Sequence, residues 1–183
     1  YTAGLYNVEP DCSQAGYFWA AAAITGSKIK VKGTTHKTRQ GDVRLTQLFE
    51  NMGCKINHET DGISVTGGSL GAITADMADM PDMVPTLAIT ALFAEGKTVI
   101  HNVSHLKHKE SDRIADTANE LRRIGGRVEE LEDGLIIYGG DKLKGEEVNP
   151  HNDHRLAMSF AVAGLKVPDV FIKDENCVNK SSI

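Results

Sequence analysis

An aspartate standing shortly after a proline and ahead of an apolar run occurs three times, in EPDCSQAGYFW, MPDMVPTLAIT and PHNDHRLAMSF. The three acids are Asp11, Asp82 and Asp153, a constant step of 71 residues. A fixed period constrains the fold more than any local propensity, because the chain must then be an array of one supersecondary unit. The content of that unit can be read by laying the copies over one another.

Behind the three aspartates come GYFWAAAAITG, VPTLAITALFAEG and HRLAMSFAVAGL. Each reads as a short apolar helix, with Gly26, Gly96 or Gly164 closing it in the C′ position. SKIKVKG, KTVIHNV and VPDVFIKD follow, and their alternation and β-branched residues predict strands. The first two copies continue into a second helix. GDVRLTQLFENMG sets Val43, Leu48, Phe49 and Met52 on one stripe, and SDRIADTANELRRIG does the same with Ile114, Leu121 and Ile124. Gly53 and Gly125 stop these helices. CKINHETDGISVTGG and RVEELEDGLIIYGG then each carry Asp-Gly between alternating runs, a strong hairpin signal, with Gly67/Gly68 and Gly139/Gly140 as strand ends. The unit is therefore βαβαββ, twice in full and once as far as its third element, over approximately 8–70, 78–141 and 149–183 of a single domain.

The first helix of each unit is apolar nearly all round, whereas the strands alternate apolar residues with Lys, His, Glu or Thr. A helix apolar on every face must be buried on every face, and a strand with one polar face looks at water. The fold class expected is an inside-out α/β barrel: βαβαββ units around a pseudo-threefold axis, helices inside and sheets outside. Inner helices related in this way aim their N-termini in one direction, where their dipoles and free N–H groups favour an anion. The repeated aspartate falls at the N-cap of each inner helix, where it accepts orphan N–H groups.

Composition removes several function classes. A formal net charge of −5 disfavours a nucleic-acid partner. No run of eighteen apolar residues marks a membrane span, and YTAGLYNVEP has no basic segment leading into an apolar one. Cys12, Cys54 and Cys177, odd in number and widely spaced, fit neither a disulfide framework nor a paired-cysteine metal site, which points to the cytoplasm. The lack of an initiator Met and the ending NKSSI lead us to expect part of a longer chain.

Reactive side chains gather in two stretches. HLKHKESDR holds Lys107, Lys109, Glu110, Asp112 and Arg113 between a strand and a helix; HNDHRLAM sets His154 and Arg155 in the first turn of an inner helix. Arginine there opposes the dipole, so it points to an external anion; solvated loop charges are the plain alternative. His101, His105 and His108 at helical spacing, and His151, Asp153 and His154 close together, raise a metal reading. But His101 lies in a strand, and neither HExxH nor a phosphate-binding GxxxxGK[ST] occurs. No metal or organic cofactor is expected.

MPDMVPTLAITALFAEG, KHKESDRIADTANELRRIGG, NDHRLAMSFAVAGL and CVNKS closely resemble the C-terminal half of the 5-enolpyruvylshikimate-3-phosphate synthase family, and the likeness runs through essentially all 183 residues. The resemblance implies two globular domains of three βαβαββ units each, of which this chain is most of one, with the missing N-terminal domain supplying the rest of the site. It implies transfer of the enolpyruvyl group of phosphoenolpyruvate to the 5-hydroxyl of shikimate 3-phosphate, with release of phosphate. Asp82 matches the acid at the shikimate hydroxyl, and Glu110 the residue that moves the methylene proton. Lys109 is expected on the shikimate side, and Arg113, His154, Arg155 and Lys180 at phosphoenolpyruvate. His105 occupies the place of a shikimate-contacting asparagine in some relatives. After Lys180 the family continues with Phe and Pro, where this chain has Ser181, Ser182 and Ile183. A UDP-N-acetylglucosamine enolpyruvyl transferase, sharing the repeat and the acid at Asp82, and an inactive binding domain of the same fold are the alternatives.

Overall fold

The computed structural model describes residues 3–5 and 8–180. The elements run α1 (Cys12–Thr25), β1 (Lys28–Lys32), α2 (Leu45–Asn51), β2 (Lys55–Glu59), β3 (Gly62–Thr66), β4 (Thr74–Asp76), α3 (Val84–Ala91), β5 (Gly96–His101), α4 (Arg113–Arg123), β6 (Arg127–Leu131), β7 (Gly134–Gly139), β8 (Glu147–Val148), α5 (His154–Ala163) and β9 (Phe171–Ile172). Short 3-10 turns at Gly41–Arg44, Pro81–Met83, Ser104–His108 and Glu175–Lys180 join them.

The layering is the inside-out one. All eight residues of α3 are buried, as are most of α1 and α5, and the three helices pack on one another. Between α3 and α5 the buried hydroxyls of Thr86 and Ser159 meet at 3.1 Å, which satisfies two polar groups inside an apolar centre. Outside lie three sheets, in strand orders β1-β3-β2, β4-β5-β7-β6 and β8-β9. Lys28, Lys30 and Lys32 of β1 face water while Ile29 and Val31 turn inward. The central strands β3 and β7 depart from simple alternation and are buried over four successive residues. Flanking side chains cover them: Ser64 on β3 donates to Glu59 Oε1 of β2 at 2.8 Å, and Glu59 is itself paired with Lys30 of β1.

The repeat is visible in the pairing. β1, β3 and β2 correspond to β5, β7 and β6, each set antiparallel. The strand that opens a unit pairs parallel with the strand after the inner helix, as β4 does with β5 and β8 with β9. The middle unit is complete. In the first, residues 3–5 and 8–10 form no strand, so the edge of β1 that answers to β4 has no neighbour among the described residues. Among the described residues the first unit thus shows five of the six elements.

Three local expectations are corrected. Asp11 caps α1 by accepting from Ser13 N at 2.8 Å and Gln14 N at 3.4 Å, and Asp153 caps α5 by accepting from Arg155 N at 2.8 Å. Asp82, however, lies inside the 3-10 turn before α3 and caps nothing. Pro85 in the first turn of α3 removes one of the donors a cap would serve, which frees the carboxylate for other partners. Of the closing glycines, only Gly26 is a left-handed cap, at φ 73°. Gly96, at φ 104°, opens β5 four residues beyond the cap of α3, and Gly164 is right-handed, φ −59°, because the chain coils on in turns through Val167. Finally, both hairpins form where Asp-Gly predicts them, yet Gly62 and Gly134 are the first residues of the returning strands. Their φ angles are not positive. Glycine is required there by close approach: a methyl group would run into the carbonyl oxygen of Val31 or of Ile100 on the neighbouring strand.

Candidate active site

The N-terminal ends of α3, α4 and α5 bring the charged stretches together. The 3-10 turn Pro81–Met83 carries Asp82 ahead of α3. The turn Ser104–His108 hands the chain to Lys109 and Glu110, and Asp112 then caps α4 by accepting from Ala115 N at 3.1 Å, which fixes Arg113 as its first residue. Asp153, capping α5, places His154 and Arg155 in the first turn of that helix.

Two carboxylates organise the cluster. Asp82 accepts from Arg113 Nη1 on Oδ1 at 2.8 Å and pairs with Arg155, whose Nη2 lies 2.9 Å from Oδ2, and with Lys109, whose Nζ is 3.8 Å away. Asp153 receives Arg113 Nε at 2.6 Å and Nη2 at 3.3 Å, a bidentate fork. Beside them His154 Nδ1 lies 3.1 Å from Glu110 Oε2, and Arg113 Nη2 lies 3.9 Å from Glu110 Oε1. The Arg113 and Asp153 side chains are 2% and 0% exposed, whereas Glu110 is 39% exposed and faces the open side. The buried pair is thus the foundation, and Glu110, Lys109 and Asp82 form the accessible surface.

The electrostatics follow from that layout. Burial acts to raise the Asp82 pKa, but the charges of Arg155, Arg113 and Lys109 together outweigh it and hold the group below its ordinary value. Burial likewise acts to lower Arg113, and its bond to Asp153 with the charges of Asp153 and Asp82 reverses the sign, so the guanidinium stays charged. Arg155 Nη1 and the Tyr17 hydroxyl are buried without a well-formed hydrogen bond among the described residues. Burial pushes Tyr17 up to about 12, so it remains a neutral phenol. The Arg155 guanidinium, next to the Tyr17 hydroxyl and reaching Asp82, has the planar donor fork that suits a carboxylate or phosphate.

Of the residues expected from sequence, Asp82, Lys109, Glu110, Arg113, His154 and Arg155 come together. His105 is exposed on the turn Ser104–His108, and none of the hydrogen bonds or ion pairs that join the cluster involves it. Lys180 ends the last 3-10 turn, and its side chain falls outside what the structure describes. Sequence reasoning missed three members. Asp153 was read as a cap and, with His151 and His154, in the metal alternative; its grip on Arg113 depends on two segments 40 residues apart. Tyr17 sits within an alanine-rich helix that reads as core. Asp42, in the turn Gly41–Arg44, accepts from Ser13 Oγ at 2.5 Å, and burial with the nearby Asp82 charge raises its pKa despite that bond. An acid at the start of the second helix was the one available signal.

Glu110, Asp153 and His154 offer ligand atoms within 4.8 Å of one another. Both Asp153 oxygens are already engaged, by Arg113 and by Arg155 N, so a dication there would have to displace a buried guanidinium. A pocket of about 240 Å³ lies instead at the C-terminal ends of the inner helices, between Ile24, Leu70, Phe93 and Lys166. Among the described residues that line it Glu95 is the one acid, whereas the N-terminal end gathers Asp82, Glu110 and Asp153. There a hydroxyl could be met by Asp82, a proton carried by Glu110, and carboxylate or phosphate oxygens held by Arg155 and Lys109.

Known proteins share this arrangement of chain. A protein named 3-phosphoshikimate 1-carboxyvinyltransferase from Syntrophobacter fumaroxidans is 47% identical over 183 residues, covering 99% of this chain and 43% of that protein. One of the same name from Escherichia coli is 44% identical over 178 residues, 97% of this chain and 42% of its own length. The solved structure of EPSP synthase from Acinetobacter baumannii superposes with a TM-score of 0.84 at 31% identity, covering 95% of this chain and 44% of that one. The chain thus spans less than half the length of the relatives it matches. The family model described as EPSP synthase (3-phosphoshikimate 1-carboxyvinyltransferase) matches residues 2–182, and the chain belongs to that family.

Proposed function

We propose that these residues form most of the C-terminal domain of a two-domain enolpyruvyl transferase, which moves the enolpyruvyl group of phosphoenolpyruvate to the 5-hydroxyl of shikimate 3-phosphate and releases phosphate in the shikimate pathway of aromatic amino-acid biosynthesis. The observation that carries this reading is one acid, Asp82, held between Arg113, Arg155 and Lys109 next to the Glu110–His154 pair. Addition of a hydroxyl across the double bond of an enol phosphate, followed by loss of phosphate, needs a base at the hydroxyl, an acid at the methylene carbon, and cations for a carboxylate and phosphates. Asp82 takes the first role and Glu110 the second, with His154 orienting its carboxyl. Arg155 and Lys180, with Arg113 behind them, hold phosphoenolpyruvate; Lys109 and His105 lie on the shikimate side. The cytoplasm is the compartment in which the three thiols would stay reduced.

The low pKa of Asp82 is informative here. A carboxylate clamped by two guanidinium groups is a poor proton acceptor. The carboxylate and phosphate of phosphoenolpyruvate compete for Arg155, and once they draw it away the depression of Asp82 is relieved. Basicity then rises only when the second substrate is in place, which orders the chemistry after binding.

Asp82→Asn in the complete enzyme tests the assignment. The amide keeps a hydrogen bond but cannot take the proton, so turnover should fall about 10²- to 10⁴-fold, the range of general-base contributions, with substrate binding largely kept. Near-normal turnover would remove Asp82 as the base. Activity with UDP-N-acetylglucosamine in place of shikimate 3-phosphate would favour the sister transferase.

A further inference from the structure

We infer that Glu120, two turns along α4 from Arg113, is a positioning residue that sets His154 and Arg155. Its side chain is 3% exposed, and all its partners are accounted for: Asn149 N donates to Oε2 at 3.1 Å, Arg123 Nε lies 3.2 Å from Oε2, and His151 Nε2 lies 3.1 Å from Oε1. The other His151 ring nitrogen, Nδ1, lies 3.4 Å from Asp116 Oδ1. One face of α4 therefore grips the loop 149–152 through Glu120 and Asp116.

That loop needs holding. His151 and Asn152 have φ of 52° and 57°, two successive left-handed residues, a conformation that side-chain-bearing residues keep only where the surroundings enforce it. His151 N also donates to Asn149 Oδ1 at 2.9 Å, and Asp153 N to the Pro150 carbonyl at 2.8 Å, so the turn is wound tightly into the cap of α5. The next residues in the chain are Asp153, His154 and Arg155. Arg113 and Glu120 are seven residues apart on α4, two turns or about 10 Å along one face. Arg113 holds Asp153 at the near end and Glu120 holds Asn149 and His151 at the far end. Held at both ends, the loop cannot pivot about the Arg113–Asp153 bond; without Glu120 the far end keeps the longer His151–Asp116 contact, at 3.4 Å, and loosens. Releasing Glu120 lets the first turn of α5 swing, moving His154 from Glu110 and Arg155 from Asp82.

The geometric claim stands without any substrate, whereas its kinetic consequence rests on the enolpyruvyl-transfer reading. The test uses Glu120→Ala, Glu120→Gln and His151→Ala in the complete enzyme. Misplacement by about 1 Å can cost on the order of 100-fold, so Glu120→Ala should raise KM for phosphoenolpyruvate by about 10- to 100-fold and leave KM for shikimate 3-phosphate within about threefold. Glu120→Gln, which can still accept from Asn149 N, should recover most of the loss. His151→Ala, at a half-buried position that tolerates truncation, should give an intermediate loss and keeps the test open if Glu120→Ala does not fold. Independently of activity, the Arg113 Nε–H proton resonance, bonded to Asp153, should shift in Glu120→Ala and His151→Ala. A fall in Tm with an unmoved Arg113 resonance and an unchanged ratio of the two KM values would reduce Glu120 to a stability residue and overturn the inference. Absence of enolpyruvyl transfer in the wild type would refute the transferase reading and leave the resonance to decide the clamp.

Discussion

Asp153→Asn isolates the buried charge at the base of the site. Asparagine is as good an N-cap as aspartate, so the bond from Arg155 N should survive and the helix should keep its start. What disappears is the negative charge facing Arg113, whose side chain is 2% exposed. Removing one partner of a buried pair costs about 3 to 5 kcal/mol, because the remaining ion is left uncompensated. Here Asp82 stays 2.8 Å from Arg113 Nη1 and compensates in part, so the lower end, about 3 kcal/mol, is the expectation. For a domain of this size that is a fall in Tm of about 6 to 12 °C, at 2 to 4 °C per kcal/mol. Trp19, the single tryptophan of the chain and fully buried, reports the transition by fluorescence, and urea titration gives the free energy. The double variant Asp153→Leu with Arg113→Met should regain part of the loss, since an apolar pair of similar volume removes both charges. A loss below about 1 kcal/mol in Asp153→Asn would refute the assignment of this pair as the buried foundation, because that is no more than a surface pair contributes.

How much of this was legible in the sequence depends on distance along the chain. The 71-residue step gave the unit, and within it the helix stripes, the hairpins and the caps at Asp11 and Asp153 depend on residues a few positions apart. Such features survive because period and turn chemistry act locally. Gly62 shows the limit. Its location at a hairpin was readable, but its reason, the Val31 carbonyl on a strand thirty residues earlier, is a tertiary contact. Asp82 shows it more sharply: the repeat assigned it a cap, and the proline chemistry around it, together with Arg113 later in its own unit and Arg155 from the next, gave it to the cluster instead. Six residues of the cluster were expected there through the resemblance, since charge clustering alone left loop and site equally open. Asp42, Tyr17 and Glu120 were not, because each reads locally as an ordinary turn, core or helix residue and acquires its place in the cluster from partners distant in the chain.

Acid titration of stability should expose Asp82. Its folded pKa is depressed, so its contribution is present above the unfolded value of about 3.8 and lost as pH falls through the lower folded value. Asp82→Asn should flatten the stability profile in that window, and an unchanged slope would count against the clamp by Arg155, Arg113 and Lys109. Gly134→Ala should destabilise by roughly 1 to 3 kcal/mol through overpacking against the Ile100 carbonyl, with the β5–β7 amides losing hydrogen-exchange protection first; a neutral result would show that the strands can part. The 183-residue chain alone should fold and yet release no phosphate. Its three inner helices already bury one another, and the apolar centre runs without a break from Trp19 through Leu87 to Phe160. The face that carries the charged cluster, by contrast, is open: Glu110 is 39% exposed and Lys109 40%, and ion pairs in contact with water are screened to a small fraction of their enclosed strength. A second domain closing over that face would both exclude water and add the cations that two phosphates and a carboxylate require. Weak binding of shikimate 3-phosphate without turnover is therefore the expected outcome of an assay with both substrates. Turnover at ordinary enzymatic rates, about 1 to 10³ per second, would show that these residues hold the whole site and that a second domain has no part in it.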